Sequence, residues 1–276
     1  MSGSEVEVRP LTGFGEFREC VRLQEEIWGA GFSQRVPEAI LIIASRIGGV
    51  VSGAFGRDGV LLGFVFGITG IEEGHPVHWS DMLAVRAGWR RRGIGKALKL
   101  HQREELLRAG VTRMYWTFDP LEAGNARLNL SRLGAVVREY VEEMYGESGS
   151  PLHAEVGTDR FVAIWEMASG RVERRLGKGD EDEVSPDLKG VPSALEVVRG
   201  DDGIHRPGEA RTELRVPRLL VPIPGDVQEL KAKDTTAARS WRLATRRVLG
   251  SYLARGWEVR EAIPEGNLLR YVLVRK

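Results

Sequence analysis

The chain has 276 residues, of which 42% are hydrophobic and 29% charged, and this is the composition of a globular protein with enough apolar material for a core. It contains 40 basic and 39 acidic residues, so a net charge of +1 gives no general attraction to nucleic acid or to an anionic membrane. A single cysteine, Cys20, excludes an internal disulfide bond and a cysteine-based metal site.

No segment of the sequence predicts membrane insertion or export. The longest apolar stretch runs from Val60 to Ile71, contains glycines and is too short to span a bilayer. The first residues lack the basic start and the apolar run that are typical of a secretory signal. We therefore expect a cytoplasmic protein with no membrane partner.

The chain begins with a strand pattern and two helix patterns. Val6 and Val8 alternate with charged residues, which favours a first strand that ends at Pro10. Apolar residues then recur at helical spacing over residues 14–28, and a second helical run opens at Pro37.

Strand and helix patterns continue to alternate beyond this point. The Asp58-Gly59 pair predicts a tight hairpin between two strands. Gly110 is placed to end a helix, and Asp119 is placed to cap the next one, with Pro120 in its first position. The predicted elements are strands at 48–56, 60–68 and 78–85, a helix up to 110, a strand at 113–118, a helix up to 134, and strands at 135–145 and 160–167.

The resulting order of elements is β-α-α-β-β-β-α-β-α-β-β. It excludes an all-β sandwich and a helical bundle, and it predicts a fold of the α/β (α+β) class.

The composition changes after Ala168. Residues 170–215 are rich in glycine, proline and charge and include the acidic run 180–183, so we expect a surface loop or a partly mobile linker there. A helical pattern returns over residues 234–255. Two strands follow at 257–262 and 268–274, joined by a turn at 264–267.

The end of the chain repeats a pattern from its middle. In the middle of the chain, a helix is followed by Leu133-Gly134 and then by Val136-Val137-Arg138-Glu139. At the end, a helix is followed by Arg255-Gly256 and then by Glu258-Val259-Arg260-Glu261. The match indicates a half-repeat, and coincidence is the alternative because there are only two segments. We expect a first domain at 1–168, a polar linker at 169–215 and a helix–strand–strand extension at 216–276.

One segment of the first domain has the pattern of an anion-binding turn. A strand ends at 83–85, a turn rich in arginine and glycine follows, and a helix begins at Gly93. Backbone N–H groups at such a turn point outward and the helix dipole adds a positive end, which suits a diphosphate. Glycine at positions 93 and 95 lets phosphates approach where a Cβ would collide.

The turn lacks the third glycine and the acidic residue of a dinucleotide fold, and it has no Gly-Lys-Ser/Thr of a nucleotide-binding P-loop. The run Arg90-Arg91-Arg92-Gly93-Ile94-Gly95 instead resembles the acetyl-CoA signature Arg/Gln-x-x-Gly-x-Gly/Ala of the GNAT N-acetyltransferase superfamily. The resemblance covers residues 4–167. It implies a mixed, mostly antiparallel central sheet flanked by helices.

By this resemblance, acetyl-CoA is the expected cosubstrate and no metal is required. The backbone amides of residues 91–97 would bind the pyrophosphate, and Leu83 and Val85 would bind the pantetheine arm and the thioester carbonyl. One or two arginines of the turn would pair with the 3′-phosphate, with a solvated basic turn as the alternative. The residues expected to bind the cofactor are Leu83, Ala84, Val85, Arg90, Arg91, Arg92, Gly93, Ile94, Gly95, Lys96, Ala97 and Asn125.

The helix that ends at Gly134 resembles the GNAT pattern Asn-x-x-Ala-x-x-x-Tyr-x-x-x-Gly. Asn125 fits the position that hydrogen-bonds the cofactor arm, with an exposed helix residue as the alternative. Leu130 stands where the family often has a tyrosine that protonates the leaving thiolate. That acid is therefore absent, replaced by solvent, or supplied by Tyr140 or Tyr145.

An amine acceptor must lose a proton before it attacks a thioester. Asp81 lies on the strand that leads into the turn, and period-two alternation predicts that it shares a face with Trp79, Leu83 and Val85. Its carboxylate is a candidate base or a partner for a cationic amine, and an ion pair with a nearby arginine is the alternative. His78 and His101 are expected to be packed or partly exposed rather than catalytic.

Two functions of different class fit these residues. One is an N-acetyltransferase that acts on a small amine or an amino acid, and the other is a non-catalytic acyl-CoA-binding or regulatory protein, which Leu130 favours. The near-neutral charge disfavours a nucleic-acid binder that would use four arginines of the tail helix, and a solvated arginine face is the alternative. By analogy with the family, a homodimer is expected, and the tail would cover the acceptor side or mediate dimerisation. The arginines of that face are Arg239, Arg242, Arg246 and Arg247.

Overall fold

A computed structural model of the protein describes residues 6–146, 156–177 and 187–275. The predicted acidic run at 180–183 lies outside these ranges. Within them the chain forms two compact units. Unit 1 comprises residues 6–116 and 166–168, and unit 2 comprises residues 117–146, 156–165, 169–177 and 187–275.

Unit 1 contains the predicted strands and helices of the first part of the chain. Residues 117–118 at the end of its last strand belong to unit 2. Its elements are β1 (Val6–Pro10), α1 (Gly13–Trp28), α2 (Glu38–Arg46), β2 (Val50–Gly56), β3 (Leu61–Glu72), β4 (His75–Val85), a 3₁₀ turn (Ala87–Trp89), α3 (Ile94–Arg108) and β5 (Arg113–Phe118).

The strands of unit 1 form a mixed sheet in the order β1-β2-β3-β4-β5. Neighbours from β1 to β4 are antiparallel, and β5 runs parallel to β4, pairing Val77–Trp79 with Arg113–Tyr115. The Asp58 carboxylate accepts the Val60 N–H at 3.1 Å in the β2–β3 turn, which confirms the predicted hairpin. The predicted mixed, mostly antiparallel sheet is confirmed.

Apolar side chains lie on both faces of this sheet, and helices pack against them on each face. On one face α1 contributes Phe17 and Leu23, which pack with Phe64 and Phe66 of β3. On the other face Leu98 of α3 packs in a cluster with residues of β2, β3 and β4. Burial of large side chains on both faces supplies the main driving force for folding this unit, at about 25 cal/mol per Å² of apolar surface.

Strand β4 breaks its own alternation once. Ser80 is paired with Gly67 and Met82 with Phe66, so Asp81 is an extra residue in a β-bulge. Before the bulge, Ser80 faces α3. After it, Leu83 packs against the α3 cluster, whereas Met82 packs on the opposite face.

The predicted shared face of Trp79, Asp81, Leu83 and Val85 is therefore wrong. The bulge places Trp79 on the face opposite Leu83 and Val85, because one inserted residue shifts every later side chain to the other face.

A buried polar network lies between β4 and α3. The Lys99 ammonium group lies 2.7 Å from Ser80 Oγ, and Ser80 Oγ donates to Gln102 Oε1 at 3.0 Å. The Gln102 amide nitrogen lies 3.0 Å from His78 Nε2, and His78 Nδ1 lies 3.0 Å from Thr69 Oγ1. His78 is thus packed, as expected, and hydrogen-bonded through both ring nitrogens.

The His78 ring also explains a glycine in the neighbouring strand. A Cβ on Gly67 would lie 2.2 Å from His78 Nε2, so no larger residue fits at that position without displacing the ring. The imidazole therefore fills the space that a side chain on β3 would occupy.

Unit 2 contains the remaining helices and strands. Its elements are α4 (Ala123–Ala126), a π-helical segment (Arg127–Arg132), β6 (Val136–Val141), β7 (Arg160–Glu166), α5 (Gly170–Leu176), β8 (Leu195–Arg199), β9 (His205–Ala210), β10 (Arg218–Pro224), α6 (Val227–Lys233), α7 (Thr235–Leu253), β11 (Trp257–Glu265) and β12 (Leu268–Arg275). Five of its strands, in the order β7-β6-β11-β12-β10, pair antiparallel with their neighbours in that order.

The tail helix α7 is part of the core of unit 2. Trp241, Val248, Leu249 and Tyr252 are fully buried, so the apolar surface of this helix is used in packing. Leu243, on the same helix, is the exception, with 62% of its surface exposed. No helix in the described ranges is long and apolar enough to cross a membrane.

The division into units differs from the predicted domain limits at 168 and 215. Residues of β6 and of the π-helical segment pack on α7 and β11, so the end of the first predicted domain and the tail share one core. The predicted linker also contains regular structure. Ser169 caps α5 by accepting the Val172 N–H, and β8 and β9 form an antiparallel pair.

The two segments that resemble each other in sequence also have the same local structure. In each, a helical segment is followed by a glycine with positive φ, Gly134 or Gly256, and then by a strand of an antiparallel pair. Each first strand has a register shift at its arginine, Arg138 in β6 and Arg260 in β11. The two strands pair with each other at Val137 and Val259.

We predict that acidification destabilises the protein partly through His78. Burial, together with a smaller effect of the nearby Lys99 amine, lowers its pKa from 6.5 to about 3. Below pH 6.5 the unfolded chain therefore binds more protons, and the free energy of unfolding should fall by up to about 1.4 kcal/mol per pH unit. Urea unfolding between pH 7 and pH 4.5 measures this slope.

The substitution His78→Gln keeps a donor and an acceptor but removes the titration, so its slope should be shallower than that of the wild type. His75→Gln, at an exposed position of the same strand, is the control and should leave the slope unchanged. Equal slopes for wild type and His78→Gln would contradict the prediction.

Candidate functional site

The predicted anion-binding turn lies in unit 1, between β4 and α3. Gly93 is the N-cap of α3 and has a φ of +81° and a ψ of −6°. Arg91 also has a positive φ, of 63°. Left-handed residues at a turn orient neighbouring amides toward one side, which makes a concavity for an anion.

Successive backbone amides are free at this turn. Ala97 donates the first hydrogen bond of α3, to the carbonyl of Gly93 at 2.9 Å. The amides of Gly93, Ile94 and Gly95 donate to no acceptor in the part of the chain that the structure describes. These N–H groups and the helix dipole make the end of α3 positive. The Ala97 N–H, which was expected to contact the pyrophosphate, is therefore used within the helix.

The arginine side chains of the turn are exposed and make local contacts. Arg90 Nε donates to the carbonyl of Val85 at 3.0 Å, which ties the turn to the end of β4. The Arg92 guanidinium lies over the ring of Trp89, 4.9 Å from its centre. Such an exposed cation–π contact is worth about 0.5–1 kcal/mol and holds the loop rather than filling the anion site.

The last residues of β4 divide between the two faces of the sheet. Leu83 and Val85 are partly buried and pack against the α3 cluster that contains Ile94. Ala84 is buried in the cluster on the opposite face. Leu83 and Val85 thus share a face with α3, whereas the Ala84 side chain belongs to the core.

Asp81 is the exposed residue of the β4 bulge. Although its side chain reaches solvent, the surrounding protein desolvates the carboxylate and raises its pKa above the usual 3.8. The described residues place no arginine or lysine in an ion pair with it. A carboxylate that is accessible, free of a counter-ion and shifted toward neutrality has the properties of a proton acceptor.

The two predicted tyrosines lie in unit 2 and have different surroundings. Tyr140 donates a hydrogen bond to Asp159 Oδ2 at 2.5 Å, and burial together with the Asp159 charge raises its pKa above 10. It therefore holds its proton more tightly than a free tyrosine. Tyr145 is half-buried and its hydroxyl lies 2.9 Å from Thr117 Oγ1.

The predicted cofactor helix in unit 2 is short and irregular. Asn125 is exposed on α4, and the chain then enters the π-helical segment, which the Leu133 N–H closes onto the carbonyl of Leu128. Leu130 is fully buried in the core of unit 2. A leucine at that position therefore serves packing, and it offers no proton.

Asp119 does not cap a helix as predicted. It accepts the Leu121 N–H at 2.8 Å in a turn, and α4 begins only at Ala123. Both of its oxygens accept hydrogen bonds from Arg242 Nη2 of α7, at 2.7 and 2.6 Å. The carboxylate is thus committed to an ion pair inside unit 2.

The tail arginines are also placed differently from the prediction. Arg242 is 3% exposed, and Arg246 donates to both oxygens of Asp159 and to Glu143. Burial raises the pKa of Asp159, but the hydrogen bonds from Arg246 and Tyr140 outweigh this and lower it. The predicted solvated arginine face is therefore wrong for these two residues, because acidic partners hold them.

Sequence reasoning missed the polar network around Lys99. Lys99 and Gln102 lie on the buried stripe of α3 that Ile94, Leu98 and Leu106 define. A lysine on an apolar helix stripe was the signal that could have identified a buried amine.

The comparisons with known proteins agree with this arrangement. Residues 17–134 match the acetyltransferase (GNAT) family. This segment includes β4, the anion-binding turn and α3. This part of the chain is therefore similar to a GNAT acetyltransferase domain. No curated protein matches the chain.

Several solved structures are similar to more than half of the chain. Naa50 from Arabidopsis thaliana, in complex with a bisubstrate analogue, is 15% identical with a TM-score of 0.47, over 58% of this chain and 97% of that one. The ribosomal-protein-S18-alanine N-acetyltransferase from Escherichia coli is 15% identical with a TM-score of 0.46, over 60% and 96%. Because these identities and TM-scores are low, the similarity to the GNAT family rests on the sequence match over residues 17–134.

We predict that Arg242→Met destabilises the protein by about 3 kcal/mol, because it removes the hydrogen-bonding partner of the Asp119 carboxylate, whose side chain is 12% exposed, and leaves it only the more distant Arg160 at 3.8 Å. Methionine keeps most of the volume of the side chain. Chemical unfolding of the full chain measures the loss.

The control is Arg247→Met, at an exposed position of the same helix, where a change within about 0.5 kcal/mol is expected. Equal effects of the two substitutions would show that the buried ion pair contributes nothing specific.

Proposed function

We propose that the protein is an acetyl-CoA-dependent N-acetyltransferase that transfers the acetyl group directly to a small amine or an amino acid. The observation that carries the proposal is the turn before α3, where the amides of Gly93, Ile94 and Gly95 are free at the positive end of a helix. An anionic group such as a pyrophosphate is the natural complement of this site. The match of this segment to the GNAT acetyltransferase family supports acetyl-CoA as the source of that group.

Bound acetyl-CoA would supply a thioester whose carbonyl carbon accepts the amine nitrogen, with loss of the thiol. The free amides of the turn would hold the pyrophosphate, and the Leu83 and Val85 end of β4 would line the pantetheine arm. Asp81 would take the proton from the amine, since its carboxylate is exposed, unpaired and raised in pKa.

The proton for the leaving thiolate would come from solvent. Leu130 has no proton to give, and the Tyr140 proton is held by Asp159. A coenzyme A thiol is acidic enough to leave without full proton transfer when water is accessible. The chemistry therefore does not need the tyrosine that the family often uses.

A non-catalytic acyl-CoA-binding protein is the second candidate. The buried Leu130 and the hydrogen-bonded Tyr140 favour it, because they remove two potential acids. Both candidates require acetyl-CoA binding, and only the first requires thiol release that depends on an amine.

We predict that Gly93→Ala weakens acetyl-CoA binding at least tenfold. Alanine at a φ of +81° costs about 1–2 kcal/mol of backbone strain and tilts the free amides away from the anion site. Its Cβ would also project into the open space in front of the turn. Titration calorimetry with acetyl-CoA measures the dissociation constant.

Gly110→Ala is the matched control at the other end of α3. Gly110 has a φ of +79° and the same open surroundings, so it carries the same strain without bordering the anion site. Its dissociation constant should stay within twofold of the wild type. Equal weakening by both substitutions would count against the turn as the binding site.

We predict that Asp81→Asn lowers kcat by about 10²–10⁴ while the KM for acetyl-CoA stays unchanged, because the asparagine cannot accept the amine proton. In the wild type the rate should fall on acidification at a pH above the usual range of an aspartate, since the pKa of Asp81 is raised. A thiol-reactive dye with a panel of amines and amino acids measures release of coenzyme A.

Asp58→Asn is the control, in the exposed β2–β3 turn where asparagine can accept the same Val60 N–H. Its kcat should equal that of the wild type. Acetyl-CoA binding without amine-dependent thiol release from any member of the panel would favour the second candidate.

A further inference from the structure

The bulge in β4 has a polar support on the side of α3. Ser80, directly before the extra residue Asp81, is 3% exposed, and its hydroxyl is held from two sides. Lys99 Nζ lies 2.7 Å from it, and Gln102 Oε1 accepts its proton at 3.0 Å. Both partners come from one stripe of α3, so the helix fixes the strand at the residue where its alternation breaks.

The hydrogen bonds have a consistent direction over the whole network. Gln102 Oε1 accepts from Ser80, so its amide nitrogen is the donor to His78 Nε2. His78 then carries its proton on Nδ1 and donates to Thr69 Oγ1, and Thr69 donates to the carbonyl of Gly48 at 2.7 Å. Each member has one defined role, so the removal of one donor is felt by its neighbours.

Lys99 is the first donor in this series of hydrogen bonds, and it has no counter-ion among the described residues. It is 3% exposed, and no carboxylate in the described residues forms an ion pair with it. Besides Ser80 and Gln102, its amine contacts Met114 Sδ at 3.6 Å and lies 4.1 Å from the centre of the Trp116 ring. Burial lowers its pKa well below the usual 10.5, so it acts as a hydrogen-bond donor and not as a surface charge.

Burying a lysine amine at this position costs more free energy than burying an apolar side chain of similar size. A methionine or leucine would fill the same apolar stripe without the cost of burying an amine. What only the amine provides is its hydrogen bonds, to Ser80 Oγ at 2.7 Å and to Gln102 Oε1 at 3.3 Å. Ser80 directly precedes the extra residue of β4.

We propose that Lys99 is a positioning residue for Asp81. Through its hydrogen bond to Ser80, Lys99 fixes the β4 bulge and thereby the place of the Asp81 carboxylate. The inference deepens the proposed transferase function and rests on it for the role of Asp81. Misplacement of a reacting carboxylate by about 1 Å can reduce a rate by up to about 100-fold, so loss of the amine should be visible in kcat.

The test compares Lys99→Met in wild-type and Asp81→Asn backgrounds. In the wild type, kcat for amine-dependent thiol release should fall about tenfold, with the KM for acetyl-CoA within about twofold. In Asp81→Asn, the same substitution should cause no further fall, because the group that it positions is already lost. Ser80→Ala, which removes the receiving hydroxyl with a smaller change in volume, should reproduce the pattern.

The control is Arg108→Met, at the exposed end of the same helix, which should leave kcat unchanged. An unchanged kcat in Lys99→Met would overturn the inference. An equal fall in both backgrounds would also overturn it, because it would show general damage and not positioning.

A second readout does not depend on turnover. Hydrogen exchange of the Asp81 and Met82 amides, measured without ligand, should accelerate about tenfold in Lys99→Met relative to Arg108→Met. Unchanged exchange would overturn the inference even if the protein is a transferase. Failure of the wild type to bind acetyl-CoA would instead overturn the proposed function.

Discussion

Successive side chains of a β-strand point to opposite faces of the sheet, and β4 departs from this rule at one residue. Before Asp81 the strand presents His78 and Ser80 to α3, and after it presents Leu83 and Val85. One helix therefore meets polar groups along part of its length and apolar groups along the rest. The sequence of α3 matches this change, with Lys99 and Gln102 opposite the polar part and Ile94 and Leu98 opposite the apolar part. The position of the bulge and the sequence of α3 therefore depend on each other.

The same helix connects the bulge to the anion site. Its N-terminus holds the free amides, and its first buried residues, Ile94 and Leu98, pack on the end of β4. This packing fixes the position of the helix end that carries the free amides. Glycine at the N-cap supplies the left-handed conformation that turns the chain from strand to helix within a few residues.

Unit 2 is organised by charges that the sequence presents as surface residues. Arg242 and Arg246 lie one turn apart on α7, and each pairs with an acidic residue contributed by an earlier segment, Asp119 or Asp159. Breaking such a pair leaves a charge in a poorly solvated place, which is far more costly than losing an exposed ion pair. These contacts tie the tail helix to residues that the sequence alone assigns to the first domain.

The sequence predicts most of the elements, since hydrophobic periodicity and turn residues are local signals. The hairpin at Asp58, the helix after Gly93 and the mixed sheet are confirmed for that reason. Faces of side chains after a bulge are not local, because a single unpaired residue reverses them. Asp81 and Trp79 show this limit.

Partners of charged residues escape prediction for a related reason. Asp119 reads as a helix cap and Arg242 as a solvated side chain when each is considered with its neighbours in sequence. Their ion pair depends on how α7 packs in unit 2. The strand β10 and the α5 helix were also missed, because proline-rich and charged stretches weaken the patterns on which strands and helices are recognised.

The pairing of β6 with β11 has a consequence of its own. Val137 and Val259 occupy equivalent positions in the two similar segments, and they lie opposite each other in an antiparallel pair. Two identical strands that meet antiparallel at the same residue are related by a two-fold axis, which is the geometry of a symmetric interface between subunits. Here both strands belong to one chain, so the tail gives β6 the neighbour that a second molecule would otherwise provide. The exposed strand edge that invites self-association is thereby covered from within.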